Sequence, residues 1–268
     1  MWIMDYMDFS WWPLFGREAE IEPENLVPSH PYYPLGVNIT GYAANEATVP
    51  MLLASLGGML GFAILGASAF ALRFNSNLTK SNIALLGWFV MNGCLHCFFE
   101  GYFVLNHATV ASSQNVFAQL WKEYALSDSR YLTSDFFMLS VESITTFIWG
   151  PLCFANAIAI ARGSPSRHVL RIIVCMAHLY GVALYYSTSL CETYFTGRSH
   201  SRPEFLYFWV YYVGFNLPWA IVPAVLLFDS ARTLTKAVRA LDKIDITLAA
   251  HRRTQDASNG TIEPKKTK

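Results

Sequence analysis

Charged residues are scarce in this sequence, and their scarcity limits what the protein can be. They make up 14% of the 268 residues, whereas an ordinary soluble domain carries about 25%. Hydrophobic residues make up 53% of the chain, and the formal net charge is zero. Without a basic excess, the chain has no surface that would attract nucleic acid. The composition therefore excludes an ordinary soluble domain and predicts a membrane protein without a nucleic-acid partner.

Cysteine is also sparse, and its five copies follow no pattern. A scattered, odd-numbered set does not form a disulfide framework. Cys94 and Cys97 flank His96, but zinc needs more ligands than this one helix presents, and no second Cys-x-x-Cys motif follows. The sequence therefore predicts no metal site. Motifs for phosphate, dinucleotide and haem binding are also missing, so the chemistry is expected to need no cofactor.

Long apolar segments dominate what is present. Each of five segments is long enough to cross about 30 Å of hydrocarbon as a helix, and none shows the alternation of a membrane barrel. The sequence predicts an all-α membrane protein, a bundle of five transmembrane helices. The five segments are Met51–Leu72, Asn82–Asn106, Phe136–Ala161, His168–Leu190 and Phe205–Phe228.

Lysine and arginine are unevenly distributed between the two sides of this bundle. They concentrate in the first loop, the third loop and the C-terminal tail, which predicts that these regions are cytosolic. The chain then divides into three parts. Residues 1–49 form an acidic and aromatic lumenal or interfacial segment, residues 50–232 form the five-helix domain, and residues 233–268 form a basic cytosolic tail.

Two short motifs bear on cellular location. Lys265 and Lys266 resemble a dilysine signal for retrieval to the endoplasmic reticulum; a solvated run of charge is the alternative interpretation. The predicted location is the membrane of the endoplasmic reticulum, with a lumenal N-terminus and a cytosolic C-terminus. A sequon at Asn38 lies on the predicted lumenal side, and whether it is glycosylated is left open.

Polar side chains recur at helical spacing inside the apolar segments. Facing inward together, they would line a polar floor in an intramembrane cavity and could move protons on an apolar substrate. Burial is expected to keep at least one acid protonated, because desolvation disfavours the charged form. The set contains His96 and Glu100 in the second segment, Glu142, Thr145 and Thr146 in the third, His178, Tyr180, Tyr185 and Tyr186 in the fourth, and Asn216 and Trp219 in the fifth.

Each of these residues also has a purely structural interpretation. His96 and Glu100 are four apart, hence on one helix face, and could simply hold two helices together. A threonine can bond back to a carbonyl one turn earlier. Asn216 can join helices, Trp219 can fill volume, and His178 is expected to be a packing histidine. Two lone acids on two spanning helices favour the functional interpretation, because a charge at membrane depth is costly.

Four stretches of the sequence together resemble one known family. The stretches are His96-Cys-Phe-Phe-Glu-Gly-Tyr-Phe, Trp121-Lys-Glu-Tyr-Ala-Leu-Ser-Asp-Ser-Arg-Tyr131, Glu142-Ser-Ile-Thr-Thr-Phe-Ile-Trp-Gly-Pro151 and Tyr207-Phe-Trp-Val-Tyr-Tyr-Val-Gly-Phe-Asn-Leu-Pro-Trp219. They resemble the emopamil-binding protein family, the sterol Δ8–Δ7 isomerases of the EXPERA superfamily. The resemblance covers roughly residues 50–240 in unbroken order.

The resemblance implies an enzyme that transposes a carbon–carbon double bond within a sterol, from C8=C9 to C7=C8. A proton adds at C9, a cation forms at C8, and a proton leaves C7. The resemblance also implies binding of cationic amphiphilic amines, whose ammonium mimics that cation, within a lipid environment. Self-association of the chain is left open.

The resemblance further implies a role for each matching residue. His96 and Glu100 match the pair that handles protons, Glu142 the second catalytic acid, and Thr145 a supporting hydroxyl. Asn216 and Trp219 match a pair on the fifth helix whose indole faces the cation. The residues that match an important loop between helices two and three are Tyr124, Asp128, Arg130 and Tyr131.

Three alternatives to the sterol isomerase remain at this point. The protein could be a non-catalytic binder of sterols or cationic amines, or an isomerase that acts by the same chemistry on another terpenoid. A transporter is disfavoured, because five helices do not divide into two equal inverted halves.

Overall fold

The computed structural model of the protein describes residues 30–260, with side chains described as far as residue 256. Most of the predicted N-terminal segment and the lysine pair Lys265 and Lys266 lie outside the described residues. Within them, five helices are long and apolar enough to cross a membrane. The predicted fold class is therefore confirmed, and the chain is a membrane protein.

Six helices make up the regular structure used below. α3 is short and amphipathic, whereas the other five are the membrane spans. The helices are α1 (Val49–Phe74), α2 (Lys80–Asn106), α3 (Val116–Tyr124), α4 (Phe136–Ala161), α5 (Ser166–Thr196) and α6 (Leu206–Asp256).

Side-chain caps fix where several helices begin. The oxygens of Thr79, Asn115 and Asp135 accept hydrogen bonds from backbone N–H groups three residues later, at the starts of α2, α3 and α4. Such caps satisfy donors that the first turn of a helix leaves free. At its far end α5 stops at Gly197, whose φ of 72° suits a residue without a side chain. The local sequence thus determines where these helices begin and end.

Three of the membrane helices contain π-helical turns, in which the backbone is locally widened. They lie at Leu95–Glu100 in α2, Thr145–Trp149 in α4 and Leu206–Gly214 in α6. The first two pack against each other where α2 and α4 cross. Such turns occur often at functional sites, and these two carry four of the polar residues that the sequence singled out: His96, Glu100, Thr145 and Thr146.

A cap of three chain segments covers one end of the bundle. Residues 30–48 join the loop that contains α3 through a hydrogen bond from the Tyr32 hydroxyl to the Lys122 carbonyl, 3.0 Å. The loop between α5 and α6 joins it where Ser129 N–H donates to the His200 carbonyl, 3.1 Å. The predicted topology puts all three segments on one side of the membrane, and in the structure they meet.

Two apolar clusters fill the bundle at different depths. The cluster below the cap is aromatic and centres on Phe103, Trp121 and Tyr131. The cluster nearer the other end centres on Phe89 and Val174 and is mainly aliphatic. α1 has only 6% of its most apolar stretch buried, so most of its surface is left for lipid. The buried polar side chains described next lie between and beside the two clusters.

Candidate active site

His96 and Glu100 form a bonded pair across the π-helical turn of α2. His96 Nδ1 lies 2.9 and 2.8 Å from the two carboxylate oxygens of Glu100. The imidazole is buried, with 4% of its surface exposed. A carboxylate that accepts from one ring nitrogen fixes the orientation of the ring and directs the other nitrogen away. The spacing of four in the sequence therefore predicted this contact correctly.

The second ring nitrogen of His96 meets a residue of α5. His96 Nε2 lies 3.0 Å from His178 Nε2, and both rings are buried. One nitrogen of the two must carry the hydrogen that the other accepts. The Nδ1 atom of His178 is buried without a hydrogen-bond partner among the described residues. A structural packing role was expected for His178; the structure shows its ring buried against that of His96, and its role stays a prediction.

The spacing of buried residues along α5 indicates that His178 faces the interior of the bundle. Arg171, Val174, Cys175, His178 and Tyr185 are all buried, and their spacing of three, four and seven marks one inward face. The periodicity shows that His178 points inward. It does not show which residue on a different helix it meets.

Glu142 occupies the facing side of the α2–α4 crossing. Its carboxylate accepts a hydrogen bond of 2.9 Å from the hydroxyl of Tyr131, in the cap. Only 8% of Glu142 is exposed, and its carboxyl group interacts electrostatically with that of Glu100. Two acids from separate helices therefore lie close enough to interact electrostatically, whereas the common catalytic site that the sequence analysis expected for them stays a prediction.

The two threonines of α4 differ in their surroundings. The Thr145 hydroxyl donates to the Val141 carbonyl in its own helix, 2.9 Å. Thr146 is buried, its hydroxyl oxygen has no partner among the described residues, and the residue lies against Gly101 of α2. The supporting role predicted for Thr145 stays a prediction, and Thr146 is the threonine at the helix crossing.

Asn216 and Trp219 lie where α6 changes from π-helical to α-helical backbone. Asn216 Nδ2 donates to the Tyr212 carbonyl, 2.8 Å, and to the Tyr124 hydroxyl, 3.3 Å. Trp219 Nε1 donates to Asn92 Oδ1 on α2, 2.7 Å. Asn92 is fully buried. The sequence analysis did not single it out, because an asparagine within an apolar helix carries no motif.

A buried ion pair organises the loop after α3. Arg130 Nη2 donates to Asp128 Oδ2 at 2.6 Å, and Arg130 Nε donates to Asp128 Oδ1 at 2.9 Å. Burial alone would lower the pKa of Arg130, but the hydrogen bonds and charge of Asp128 raise it above its ordinary value. The guanidinium also lies over the ring of Tyr185, 5.5 Å from its centroid. The pair thus fixes the loop to α5, and Tyr131 follows it directly in the chain.

Close backbone approach brings these elements together. A side-chain carbon placed at Gly150 of α4 would lie 3.1 Å from His96 Cβ and 3.2 Å from the backbone nitrogen of Cys97. Such distances are shorter than ordinary carbon contacts. Glycine at this position therefore allows α4 to approach α2 closely enough for their π-helical turns to pack together.

The predicted intramembrane cavity can be compared with a cavity found in the structure. A surface cavity of about 500 Å³ is lined by Tyr33, Leu35 and Phe208 among others, and by none of the predicted site residues. The predicted intramembrane cavity therefore stays a prediction.

Cys153 of α4 lies beside the polar residues described above. Its thiol sulfur is close to the ring nitrogens of His96 and His178.

Sequence comparisons identify relatives of this chain. Residues 116–230 match the family model for EXPERA, the expanded EBP superfamily. The chain is 34% identical to the 3-beta-hydroxysteroid-Delta(8),Delta(7)-isomerase of Rattus norvegicus over 81% of this chain and 94% of that protein. It is 32% identical to a probable isomerase of the same name from Arabidopsis thaliana, over 75% of this chain and 86% of that protein.

A third relative has a different name. Isomeliandiol synthase of Melia azedarach is 34% identical over 63% of this chain and 78% of that protein. The matches to isomerases reach 34% identity over 81% of this chain, so the resemblance drawn from the four sequence stretches is confirmed. The chain belongs to the EXPERA family, the expanded EBP superfamily.

Proposed function

We propose that this protein is a sterol Δ8–Δ7 isomerase, which moves the ring double bond from C8=C9 to C7=C8. The relatives from Rattus norvegicus and Mus musculus, each matched over 81% of this chain, are named for that activity. The reaction is an internal redox-neutral shift: one proton is added and another removed. The protein therefore has to supply a proton donor, a proton acceptor and an environment that tolerates a transient cation.

The observation that carries the proposal is the convergence of two carboxyl groups where the first turns of α4 pack against the π-helical turn of α2. Glu100 interacts with Glu142, and each has its own further partner: His96 for Glu100 and Tyr131 for Glu142. Different surroundings give two similar acids different proton affinities, which is what separate donor and acceptor roles require. A purely structural contact between α2 and α4 would need only one acid. It would not need Glu142 in addition to Glu100, or a tyrosine hydroxyl that donates to Glu142.

The proposed reaction proceeds through protonation at C9 and loss of a proton from C7. Glu142 and the Glu100–His96 pair exchange these protons with the sterol. The cation at C8 is stabilised by carboxylate charge and by the ring face of Trp219. Asn92 holds that indole by its N–H, which leaves the faces of the ring free of hydrogen bonds. Thr145 and Asn216 complete the proposed set as supporting polar groups.

Cap residues form the proposed positioning part of the site. Asp128 and Arg130 hold the loop, Tyr131 reaches Glu142, and Tyr124 meets Asn216. Burial raises the pKa of Tyr124 and of Tyr131 above the ordinary value. Both hydroxyls therefore keep their protons at neutral pH, and Tyr131 serves as a hydrogen-bond donor to the acid.

The remaining proposals concern the setting of the enzyme. We place it in the endoplasmic reticulum membrane, with residues 1–49 lumenal or interfacial, residues 50–232 as the catalytic domain and residues 233–268 cytosolic. Cationic amphiphilic amines are the proposed inhibitors, since an ammonium on an apolar body resembles the cation. Membrane lipid surrounds the domain, and the number of chains in the assembly is open.

The decisive test is complementation of a yeast strain that lacks its own Δ8–Δ7 sterol isomerase, with sterols separated by gas chromatography. The wild-type chain is expected to convert the accumulated Δ8-sterol to Δ7-sterol. Glu100→Gln and Glu142→Gln should each abolish conversion, because they keep the side-chain volume but remove an acid. Glu46→Gln, at an exposed position in the cap, is the matched control and should convert normally.

Three results would contradict the proposal. They are normal turnover in either acid variant, no conversion by a wild-type chain that is expressed in the correct membrane, and loss of folded protein in both acid variants. Tight binding of sterol without any product would favour a binding protein instead.

A second candidate is an isomerase of the same chemistry that acts on another terpenoid. The 34% identity to isomeliandiol synthase favours it, because that relative shows that proteins this similar carry different substrate names. Purified protein should be offered Δ8-sterols and triterpenoids in parallel. A larger kcat/KM for a triterpenoid would assign the second function.

A further inference from the structure

We propose that Cys153, His96 and His178 form a zinc-binding site that, when filled, blocks the isomerase. The thiol sulfur and one ring nitrogen from each histidine all lie within 4.8 Å of one another. The three side chains come from three helices, α4, α2 and α5, and each is more than nine-tenths buried. The inhibitory effect rests on the proposed function, whereas zinc binding itself does not.

The donor atoms select the class of metal. Zinc binds imidazole nitrogen at about 2.0–2.1 Å and thiolate sulfur at about 2.3 Å, so ligand atoms around one zinc ion are separated by roughly 3.5 Å. The histidine nitrogens already lie 3.0 Å apart, and small side-chain rotations complete the set. Magnesium and calcium prefer oxygen ligands, so this site discriminates against them.

The partner of His96 supports the assignment. A histidine that binds a metal usually donates its other ring N–H to a carboxylate, which fixes the tautomer and strengthens the ligand. Glu100 accepts from Nδ1 of His96, while Nε2 faces His178. The hydrogen bond from His96 to Glu100 is therefore the outer contact that usually supports a zinc-binding histidine.

Proton and charge balance also allow the site to fill at membrane depth. His178 can move its hydrogen from Nε2 to Nδ1, the atom without a partner, so that both Nε2 lone pairs face the metal. The Cys153 thiol releases one proton to solvent as its sulfur binds. The ion carries two positive charges, and the thiolate and the Glu100 carboxylate carry one negative charge each. The buried group is therefore neutral, which avoids the cost of an uncompensated charge.

The consequence for activity follows from the shared histidine. Zinc on Nε2 of His96 removes that nitrogen from proton exchange and holds α2, α4 and α5 together. The metal-free chain is then the active form. The sequence analysis considered Cys94 and Cys97 and expected no metal, because one helix presents too few ligands and no second Cys-x-x-Cys motif follows. Spacing along one helix cannot reveal a cluster that is assembled from three.

The test uses the full chain in lipid nanodiscs, stripped of metal with a chelator. Cobalt(II) is added as a spectroscopic substitute for zinc, and bound zinc is counted by elemental analysis after desalting. We expect one zinc ion per chain and a thiolate-to-cobalt charge-transfer band in the wild type. Cys153→Ser should lose the band and weaken zinc binding by at least about tenfold.

Cys175→Ser is the matched control, because Cys175 is a buried free cysteine outside the cluster. It should bind zinc and show the cobalt band as the wild type does. Absence of the band in the wild type, or equal binding by Cys153→Ser and Cys175→Ser, would overturn the proposed site. Cys153→Ala, with the elution profile of each variant, separates loss of a ligand from loss of folding.

Activity is measured in the same preparations. Zinc should inhibit the wild type and Cys175→Ser, and a chelator should restore both, while Cys153→Ser stays active and insensitive. A bound zinc with the thiolate band but unchanged turnover would refute inhibition and count against His96 in the proposed reaction. If metal-free wild type turns over no sterol, the proposed function fails while the binding data still decide the site.

Discussion

The hydroxyl of Tyr131 donates a hydrogen bond of 2.9 Å to the carboxylate of Glu142. This contact joins the cap to a membrane helix about two turns from its start, because Tyr131 lies in the loop after α3 and Glu142 lies in α4. The loop therefore does more than connect two spans, because it supplies a hydrogen-bond donor to an acid of α4. Since Arg130 precedes Tyr131 and is bonded to Asp128, the position of the hydroxyl depends on the buried ion pair as well.

Removing that hydroxyl should impair turnover more than folding. A hydrogen bond to a charged group contributes about 1.5–3 kcal/mol, so Tyr131→Phe is expected to lower kcat by about 10- to 100-fold. The ring remains to fill the aromatic cluster. Sterol product formation in nanodiscs measures the effect. The sequence analysis expected Tyr180 to face inward, which is wrong because the side chain is exposed on α5, so Tyr180→Phe should retain full activity. An unchanged kcat in Tyr131→Phe would exclude the hydroxyl from the site.

Gly150 gives a prediction about the crossing of α2 and α4. Gly150→Ala places a carbon 3.1 Å from His96 Cβ, and the overpacked crossing should lose about 1–3 kcal/mol of stability. Turnover should fall with it, because the added methyl group separates the two π-helical turns. Gly181→Ala on α5 meets no atom within 4 Å and is the control. It should leave stability unchanged or raise it slightly, since alanine favours helix. Thermal unfolding in one detergent compares them; equal midpoints would show that the crossing is not tight.

The membrane spans were predictable because the length of each apolar segment can be counted from the sequence. The predicted third span, Phe136–Ala161, has the same bounds in the structure. The fifth was predicted to end at Phe228, but its helix continues through Asp256. Hydropathy marks where the membrane ends, whereas the helix continues because residues beyond it, such as Ala237 and Leu241, favour helix and no proline interrupts them.

The site was predictable only within single helices. The His96–Glu100 contact follows from a spacing of four, even across a widened turn. The contacts of His96 with His178 and of Trp219 with Asn92 cross between helices. Their formation depends on how far each helix is rotated and how closely its neighbours approach, and packing of the whole bundle sets both.

The buried pair of Asp128 and Arg130 should matter far more than a surface pair of the same type. Asp128→Asn leaves the guanidinium buried without its full countercharge, and loss of one partner of a buried pair costs about 3–5 kcal/mol. The expected result is a large drop in the unfolding midpoint, together with low turnover. Glu204→Gln disrupts the exposed pair with Arg202 and should change the midpoint little. A similar small shift in both variants would show that the buried pair does not hold the loop.

Glu123 gives a prediction about pH. Burial raises the pKa of this half-buried acid above its ordinary value of 4.5, although the Tyr211 hydroxyl and the charge of Arg202 lower it in part. The folded state therefore holds the proton more tightly than the unfolded state. The stability contributed by Glu123 is full below the ordinary pKa and is lost as pH rises through the raised pKa.

Glu123→Gln removes this dependence and keeps an oxygen for the Tyr211 hydroxyl, which lies 3.0 Å from Glu123 in the wild type. Unfolding midpoints should be measured between about pH 5 and pH 8. The wild type should lose stability across that range more steeply than Glu123→Gln, and the variant should be the more stable at the upper end. The exposed Glu46→Gln should follow the wild type. Stability depends on pH only where a group binds its proton with different affinity in the folded and unfolded states. Parallel curves for the wild type and Glu123→Gln would therefore mean that the Tyr211 hydrogen bond and the charge of Arg202 fully offset the effect of burial on the pKa of Glu123.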